Sequence, residues 1–405
     1  MSDSVSMKSE IRDLVLSRMD MSRVCTDEEV NALVDSCITE ISTKKFIPIC
    51  TRERLAKEVF YAIRRLDFLQ ELIDDPSVTE IMVNGPSDIF IEKAGALLAY
   101  PQKFESQSKL SDIVQQIVAG CNRVVNEASP IVDARLSNGS RVNIVVPPVA
   151  LNGPVITIRR FPEHPMRMED LIAKESLTEE AASFLRELVI AGYNIFISGG
   201  TGSGKTTFLN ALSQYIPPEE RIITIEDSAE LQLHEIPNLV RLETRNANVE
   251  GCREISIRDL IKSSLRMRPD RIIVGEVRGA EAIDMMQALN TGHDGSLSTG
   301  HANSAKDMLM RLETMILMGM ELPLSAIRGQ IASGIDIIVH LGRLRDKSRR
   351  VLEIVEVLEF SEGIIQMQPL YEFRERGQDE TGRIIGVLEK TQELTNTAKL
   401  RAAGL

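Results

Sequence analysis

The sequence predicts an α/β protein organised around a mainly parallel β-sheet, and three observations support this prediction. Strand-like and helix-like segments alternate between residues 166 and 345. A glycine-rich turn at 199–206 joins a buried strand-like run to a helix-like run. Two later strand-like runs, 222–225 and 272–275, are each followed by an acidic residue. Alternation of this kind places helices on both faces of a parallel sheet.

Length and composition are those of a globular protein of two or three domains. The chain has 405 residues, of which 43% are hydrophobic and 26% are charged, so each domain can bury a core. The 47 basic and 59 acidic residues give a net charge of −12, which argues against a general DNA- or RNA-binding surface. A local basic groove is compatible with this charge.

The cysteines and the N-terminal residues indicate a reducing compartment. The five cysteines are spaced too widely for a CxxC pair, which excludes a standard zinc ribbon and gives no disulfide framework. Residues 1–16 carry charges and no apolar core, unlike a signal peptide. Neither uncharged stretch, 142–158 or 188–204, reaches the ~20 apolar residues of a spanning helix. We therefore expect a cytoplasmic protein with no transmembrane segment of its own.

Two regions of different character precede the alternating segment. Residues 1–75 are predicted to form a helical N-terminal extension, because Thr26 and Glu29 form a capping box and apolar residues then recur at helical spacing. Residues 76–161 are predicted to form a small α/β domain, with short β-rich runs around one helical run at 110–123. An Asn-Gly pair between two of these runs predicts a hairpin turn.

The remaining boundaries complete the predicted organisation. Two prolines predict a linker at 162–170. Residues 171–345 form the second main domain, and 346–405 form a more polar C-terminal tail with short strands. The tail contains two β-like runs, and its last residues, from about Thr391, are expected to form a frayed helix or to be disordered.

The glycine-rich turn has the sequence of a phosphate-binding loop. Residues 199–206, GGTGSGKT, match G-x-x-x-x-G-K-[ST] in full, between a strand and a helix. In this arrangement backbone N–H groups and the helix N-terminus surround a phosphate, while Lys205 reaches the β- and γ-phosphates and the Thr206 hydroxyl binds Mg²⁺. The predicted nucleotide-binding residues are Gly200, Thr201, Gly202, Ser203, Gly204, Lys205, Thr206 and Thr207. The motif predicts a P-loop NTPase core of the RecA-like type that uses ATP and Mg²⁺.

Acidic residues at the ends of the following strands are candidates for metal binding and catalysis. Glu226 and Asp227 follow one strand-like run, and Glu276 follows the other. The second run resembles a Walker B strand, with Gly275 at the position where Asp is usual. A P-loop enzyme needs such acids to hold Mg²⁺ and to orient the attacking water.

Two of the five histidines, His293 and His301, lie in one segment rich in glycine and small hydroxyl residues. Such a segment allows close approach of a ligand. No cysteine or third histidine is nearby in the sequence, so a zinc site is not expected. We expect these histidines to contact the terminal phosphate or the attacking water.

Together, these motifs resemble those of the secretion-superfamily hexameric ATPases, which power type II and type IV secretion, type IV pilus assembly and archaeal flagella. The family's motifs occur here in order, as a Walker A loop at 199–207, an Asp box at 224–233, a Walker B strand ending in Gly-Glu at 271–279 and a His box at 292–304. Residues 133–143 and 265–270 look like the CpaF-type subgroup of Flp/Tad pilus assembly ATPases. The lack of a tetracysteine module and the helical extension also favour the CpaF and type IV secretion branch.

The resemblance implies a Mg²⁺-dependent ATPase that forms a homohexameric ring at the cytoplasmic face of the inner membrane. Its expected partner is an inner-membrane platform protein of a pilus or secretion machine, and no nucleic acid is expected. Thr206, Glu226 and Glu276 are the predicted metal ligands. We expect Glu276 to orient the attacking water while Glu226 supports the Mg²⁺ shell, although either glutamate could be the base.

The resemblance also implies that arginines preceding the P-loop domain reach the nucleotide at a subunit interface. The candidates within 76–161 are Arg135, Arg141, Arg159 and Arg160. A guanidinium there would stabilise charge that develops on the transferring phosphoryl group. Arg278 is a further candidate for an interface or sensor residue.

The residues leave three alternatives open. A nucleic-acid translocase, a small-molecule kinase and a nucleotide-binding subunit that does not hydrolyse would each have a P-loop core. The sequence does not distinguish pilus extension, pilus retraction and effector secretion from one another.

Overall fold

The computed structural model describes residues 2–20, 22–93, 95–121, 123–161, 165–245 and 253–405. The chain divides into two compact units, Met1–Glu163 and His164–Leu405, which we call the N-terminal unit and the C-terminal unit. The predicted linker at 162–170 falls partly on residues 162–164, outside the described residues. A short helix, Met168–Ala173, forms the end of that segment.

The N-terminal unit begins with helices, as predicted. They are α1 (Ser2–Arg18), α2 (Asp27–Lys44), α3 (Ile49–Arg64) and α4 (Phe68–Asp74). The capping box is confirmed, because the Thr26 hydroxyl accepts from the Glu29 N–H while the Glu29 carboxylate accepts from the Thr26 N–H. The apolar side of α2, including Val34 and Cys37, is buried among the neighbouring helices.

A six-stranded sheet follows in the same unit, in the order β3-β2-β1-β6-β5-β4. Its elements are β1 (Val78–Asn84), β2 (Asp88–Lys93), β3 (Ala96–Ala99), α5 (Gln107–Gly120), β4 (Ile131–Arg135), β5 (Arg141–Val145) and β6 (Val155–Arg159). Each paired strand is antiparallel to its neighbour. Helix α5 buries Leu110 and Ile117 in the same apolar cluster as Ile144 and Ile156 of the sheet. The predicted hairpin is confirmed at Gly139, whose φ of +85° suits glycine.

The C-terminal unit alternates helices with strands and then ends in long strands. In chain order its elements are α6 (Met168–Ala173), α7 (Glu179–Ile190), β7 (Ile195–Gly199), α8 (Lys205–Ser213), β8 (Ile222–Glu226), β9 (Leu239–Glu243), α9 (Ile257–Ser264), β10 (Arg271–Val277), α10 (Ala282–Leu289), β11 (Leu297–Gly300), α11 (Ala305–Gly319), α12 (Leu324–Gly334), β12 (Ile337–Arg343), β13 (Arg349–Ser361), β14 (Ile364–Gln378), β15 (Ile384–Lys390) and α13 (Ala398–Ala402).

These strands form one nine-stranded sheet in the order β15-β14-β13-β12-β7-β11-β10-β8-β9. The strands from β12 to β9 are parallel, as predicted. Ile195 and Ile197 of β7 belong to the apolar cluster on one face, and Phe196 belongs to the cluster on the other. Both faces of the parallel part are therefore covered by helices, which explains why its strands read as continuous apolar runs.

The prediction of a separate tail at 346–405 is corrected by the structure. Strand β13 pairs with β12, and β14 and β15 extend the same sheet by antiparallel pairing. Strand β14 was not predicted from the sequence, because much of this strand is partly exposed and its polar residues resemble those of a loop.

The last residues are also ordered, contrary to the expectation of a frayed end. Lys399 of α13 contacts Asp336 at 2.7 Å and Asp294 at 2.8 Å, and the Tyr193 hydroxyl donates to the Asn396 carbonyl at 2.6 Å. We call this set of contacts the C-terminal clamp. Among the described residues, no helix is both long and apolar enough to cross a membrane.

Candidate functional site

The glycine-rich loop, residues 199–206, lies between the end of β7 and the start of α8. Gly202 and Gly204 have φ values of +72° and +96°, which are accessible to glycine at little cost. A Cβ on Gly199 would lie only 2.5 Å from the Leu341 carbonyl oxygen of the neighbouring strand. The loop therefore needs its glycines, and α8 begins directly after it, an arrangement that is suited to binding an anion.

Lys205 lies at the centre of this loop with its side chain largely buried. Its Nζ lies 3.2 Å from the Gly199 carbonyl oxygen and 3.1 Å from that of Gly200. The same Nζ lies 3.4 Å from both ring nitrogens of His301. Burial lowers the pKa of Lys205, while nearby Glu276 favours the charged form. The ammonium group is thus held at the loop by carbonyl oxygens that a phosphate can replace.

Glu276 and His301 form a cluster with Lys205 at the carboxyl ends of the central strands. Glu276 Oε1 lies 2.8 Å from His301 Nε2, and Glu276 Oε2 accepts from Arg278 at 2.7 Å. Arg278 also lies 3.6 Å from Asp227. Burial lowers the pKa of His301, and the positive charge of Lys205 acts in the same direction. The structure thus brings together five residues that the sequence analysis singled out.

Glu226 occupies a different environment at the end of β8. Its carboxyl group is buried, and Oε1 accepts from the N–H groups of Glu230 and Leu231 at 2.7 and 2.9 Å. Burial raises the pKa of Glu226 to about 7, against the effect of these two hydrogen bonds. Its Oε2 is buried without a hydrogen-bond partner among the described residues. A buried acceptor without a partner is costly unless a ligand or ion engages it.

The packing of Glu226 also explains the unusual Walker B strand. A Cβ on Gly275 would lie 2.9 Å from Glu226 Cγ. A larger residue at 275 would therefore collide with the Glu226 side chain, which crosses this position from the neighbouring strand. Because residue 275 on β10 is a glycine, the Glu226 side chain from β8 can occupy the space that an aspartate at position 275 would fill.

The residues of the site suit Mg²⁺, which takes oxygen ligands. Mg²⁺ commonly binds through one or two carboxylates, with phosphate oxygens and waters completing its shell. Thr206 lies in the first turn of α8, beside the loop, and the free Oε2 of Glu226 is a carboxylate oxygen that lacks a partner among the described residues. The described part of the chain contains no cluster of three or more His, Cys, Asp or Glu residues arranged to hold a metal by themselves. This donor set fits a metal that binds together with phosphates.

His293 is not brought to the loop. It precedes the four-residue strand β11, whereas His301 follows it. Its Nδ1 lies 3.1 Å from the Ala288 carbonyl oxygen, and its own carbonyl oxygen accepts from the Ser296 hydroxyl. The two histidines of the His box therefore lie at opposite edges of the sheet, and the contacts of His293 hold a turn.

The arginine candidates of the N-terminal unit are largely gathered into one row. Arg141 pairs in register with Arg135 on one side and with Arg159 on the other. Arg141 also lies 3.5 Å from Asp133. Arg160 differs, because its guanidinium donates to the Asp75 carbonyl oxygen.

Two features of the site were missed by the sequence analysis. Arg349 donates from Nε to the Gly202 carbonyl oxygen at 3.0 Å, and Arg343 precedes it on the adjacent strand. On the opposite side of the loop, an open cleft of about 460 Å³ extends past His301 to Asp307 and Arg311 of α11. The run of arginines at 343–350 was a signal that could have been noticed, but these residues were assigned to the domain end and the tail.

Comparisons with known proteins agree with this fold and this set of motifs. The family described as Type II/IV secretion system protein matches residues 64–399. A putative conjugal transfer protein of Mycobacterium tuberculosis is 36% identical over 304 residues, which cover 74% of this chain and 86% of that protein. The type IV secretion system protein VirB11 of Brucella suis is 34% identical over 305 residues, which cover 68% and 84%. The X-ray structure of the Legionella pneumophila ATPase DotB has a TM-score of 0.50 at 22% identity, covers 73% of this chain and 82% of that chain, and shows similarity of fold alone.

Proposed function

The chain belongs to the type II/IV secretion system protein family, among the secretion-system ATPases related to VirB11 and the conjugal transfer proteins, and from this premise we propose that it is a Mg²⁺-dependent ATPase. One observation carries this proposal. Lys205, His301 and Glu276 are in contact at the carboxyl ends of the strands, beside a complete phosphate-binding loop. The site therefore combines groups that bind phosphate with a carboxylate positioned to act on water.

Binding begins at the loop. The N–H groups of residues 200–206 surround the β-phosphate, and the N-terminus of α8 favours its negative charge. Lys205 exchanges its contacts with the carbonyl oxygens of Gly199 and Gly200 for contacts with the β- and γ-phosphates. Burial disfavours the charged form of Lys205, and contact with the negatively charged phosphates offsets this effect.

Glu276 is the residue that orients the attacking water. Its carboxylate lies beside His301, next to the ammonium group of Lys205, so a water bound to it is close to the terminal phosphate. Arg278 holds one carboxylate oxygen through a hydrogen bond, and the ring of His301 lies beside the other oxygen. Orientation of this kind is a major part of catalysis in P-loop enzymes, because the transition state needs positioning more than covalent chemistry.

Thr206 and Glu226 would hold Mg²⁺ with the phosphates. When bound, Mg²⁺ neutralises charge on the β- and γ-phosphate oxygens. Glu226 contributes the oxygen that has no partner among the described residues, and its carboxyl group ionises more readily next to a cation. Glu226 therefore acts as a support for the metal shell, and Glu276 acts on the water.

The proposed assembly is a homohexameric ring that works with an inner-membrane platform protein at the cytoplasmic face. ATP hydrolysis in this ring drives either secretion or pilus assembly, with the CpaF type of Flp/Tad pilus as the favoured setting. The names of the relatives support a transport machine, since one is a conjugal transfer protein and another a type IV secretion protein. The row of Arg135, Arg141 and Arg159 supplies the positive charge that one subunit provides to the nucleotide of the next.

A substitution of Lys205 tests the proposal. We expect Lys205→Ala to lower ATP turnover by about a hundredfold or more. The variant lacks the positive charge that stabilises the negative charge developing on the transferring phosphoryl group. The change should not lower the melting temperature, because it removes a buried ammonium group. Phosphate release is measured on the full chain with Mg²⁺, and Lys174→Ala, at the exposed end of α6, is the matched control.

Two results would contradict the proposal. Turnover of Lys205→Ala within a few-fold of the unmodified protein would exclude the loop as the hydrolytic site. Nucleotide binding without turnover in the unmodified protein, at concentrations where rings form, would instead indicate a binding subunit that does not hydrolyse. Light scattering with and without ATP measures whether the rings are hexamers.

A further inference from the structure

Two arginines beside the glycine-rich loop are not explained by the proposed mechanism. Arg343 ends β12 and Arg349 begins β13, and the two residues pair directly across the strands. Side chains opposite each other in an antiparallel pair are about 5 Å apart at Cβ, and two like charges there are unfavourable. An arrangement of this kind gains stability when an anion binds between the two guanidinium groups.

Both side chains reach the loop. Arg349 donates to the Gly202 carbonyl oxygen at 3.0 Å, and its Cδ lies 3.5 Å from the position of a Cβ on Gly204. Arg343 NH1 lies 3.9 Å from the position of a Cβ on Gly202. The two guanidinium groups therefore lie next to the backbone that surrounds a bound phosphate.

The other arginines of the same hairpin behave differently. Arg345 is paired with Glu375, and Arg350 is paired with Glu175. Within the part of the chain that the structure describes, neither Arg343 nor Arg349 forms an ion pair with a carboxylate. Both of them are solvent-exposed, so the arginines that face the loop are the ones whose charge is not neutralised.

The position of the pair relative to Glu276 decides which part of a nucleotide it meets. Strand β7 lies between β11 and β12, so the loop has a β11 side and a β12 side. Glu276 and His301 lie on the β11 side with Lys205, which places the terminal phosphate there. The rest of a nucleotide then extends toward the β12 side, where Arg343 and Arg349 lie.

We propose that Arg343 and Arg349 bind the α-phosphate of a nucleoside di- or triphosphate and so distinguish nucleotides from shorter phosphate anions. The inference rests on the proposed function, because it assumes that the loop binds nucleotide. A guanidinium can donate two parallel hydrogen bonds to a phosphate. Arg349 uses Nε for Gly202, which leaves its two terminal nitrogens for the ligand.

The test compares two ligands, of which only one carries an α-phosphate. Inorganic phosphate fills only the β-phosphate position in the glycine-rich loop, whereas ADP also carries an α-phosphate attached to the nucleoside. Mg²⁺ complexes of both are titrated by calorimetry into the full chain at 0.15 M salt, where surface charges more than about 8 Å apart are screened. The variants are Arg343→Gln, Arg349→Gln and the double substitution, with Arg345→Gln as the matched control on the same hairpin.

We expect the double substitution to weaken ADP binding by about tenfold or more, the size expected for a lost charged hydrogen bond. Binding of inorganic phosphate should change by less than about threefold, because screened charges act weakly at that distance. Arg345→Gln should change neither. Arg349→Lys should lose part of the ADP affinity, because a lysine keeps the charge and loses the two parallel donors.

Three results would overturn the inference, and they are distinguishable. Unchanged ADP binding in the double substitution shows that the pair makes no contact with the nucleotide. Equal weakening of ADP and inorganic phosphate binding shows that the arginines only support the loop through Gly202. Failure of the unmodified protein to bind either ligand refutes the proposed function itself. Arg343→Gln, which removes an exposed side chain, is the variant to rely on if the double substitution does not fold.

Discussion

The two edges of the parallel sheet each contain a buried polar side chain, and the two side chains differ in how completely they are hydrogen-bonded. At the amino edge, buried Asn194 donates from its N–H to Asp336 at 2.7 Å and from Nδ2 to the Gly334 carbonyl at 2.9 Å. Its Oδ1 accepts from the Ser296 N–H at 3.0 Å. At the carboxyl edge, Glu226 keeps a buried oxygen with no partner among the described residues.

This difference separates a structural network from a binding site. A buried polar network that is fully satisfied makes the fold rigid and unique. A buried acceptor that lacks a partner destabilises the fold, and a ligand that hydrogen-bonds to this acceptor removes the destabilisation. Asn194 and Glu226 are equally buried, so their difference in hydrogen bonding reflects a difference between a structural role and a candidate binding role.

The largest expected effect is at Glu276, on the carboxyl edge. Glu276→Gln should lower ATP turnover by about a thousandfold, because the amide cannot accept the proton of the attacking water. Nucleotide affinity should be nearly unchanged, since the loop and Lys205 remain. Single-turnover phosphate release and nucleotide titration measure the two effects separately.

The amino edge supplies the control for this prediction. Asp336→Asn also replaces a partly buried carboxylate, and it should lower the melting temperature by weakening the contacts with Lys399 and Asn194. Its turnover, measured below its melting temperature, should stay within about twofold, since Asp336 is remote from the chemistry. Equal loss of turnover in both variants would break the distinction between the edges.

A second prediction concerns the pH dependence of stability at Glu226. Its pKa is raised from 4.5 to about 7 by burial, so the folded state binds a proton that the unfolded state releases between these pH values. The protonated carboxyl group of Glu226 makes its full contribution to the free energy of unfolding below pH 4.5. This contribution is lost as the pH rises through about 7. The loss is about 3 kcal/mol, because each pKa unit corresponds to about 1.4 kcal/mol.

Glu226→Gln removes this ionisation. Relative to the unmodified protein, the variant should gain about 3 kcal/mol in the free energy of unfolding between pH 4.5 and pH 8. Thermal melts at a series of pH values, without Mg²⁺ or nucleotide, measure the change. A pH-independent difference between the two proteins would show that the carboxyl group is already ionised in the folded state.

The smallest expected effect distinguishes the two ends of β11. His301→Gln should lower turnover by about tenfold, the lower range for losing a group that orients a catalytic residue. His293→Gln should change turnover by less than about twofold, because its contacts are with a turn at the amino edge. Comparable losses in the two variants would show that the His box acts as one unit.

Much of the carboxyl edge could be predicted because its signals are local in the sequence. The pattern of the glycine-rich loop specifies a strand, a turn and a helix, and all three are present. Glu226 and Glu276 could be predicted for the same reason, since parallel strands bring their carboxyl ends to one edge. The position of Gly275 against Glu226 could not, because it depends on packing between two strands that are distant in the chain.

The errors have physical causes as well. The role expected for His293 assumed that closeness in sequence means closeness in space, yet the short strand β11 places its flanking residues at opposite edges. Arg343 and Arg349 were missed because the antiparallel strands after β12 are partly exposed and read as a polar tail. Pairing of a late strand with a central one is a long-range property that local patterns do not encode.

The central position of β7 has a consequence for synthesis on the ribosome. This strand carries the glycine-rich loop, and its two neighbours, β11 and β12, are made much later in the chain. The C-terminal clamp then joins Lys399 to Asp336, just before β12. A nascent chain therefore displays an apolar strand without its partners until β11 and β12 have been made. A chain that stops before β12 would therefore expose this apolar strand and an unpaired strand edge, and we expect it to be prone to aggregation.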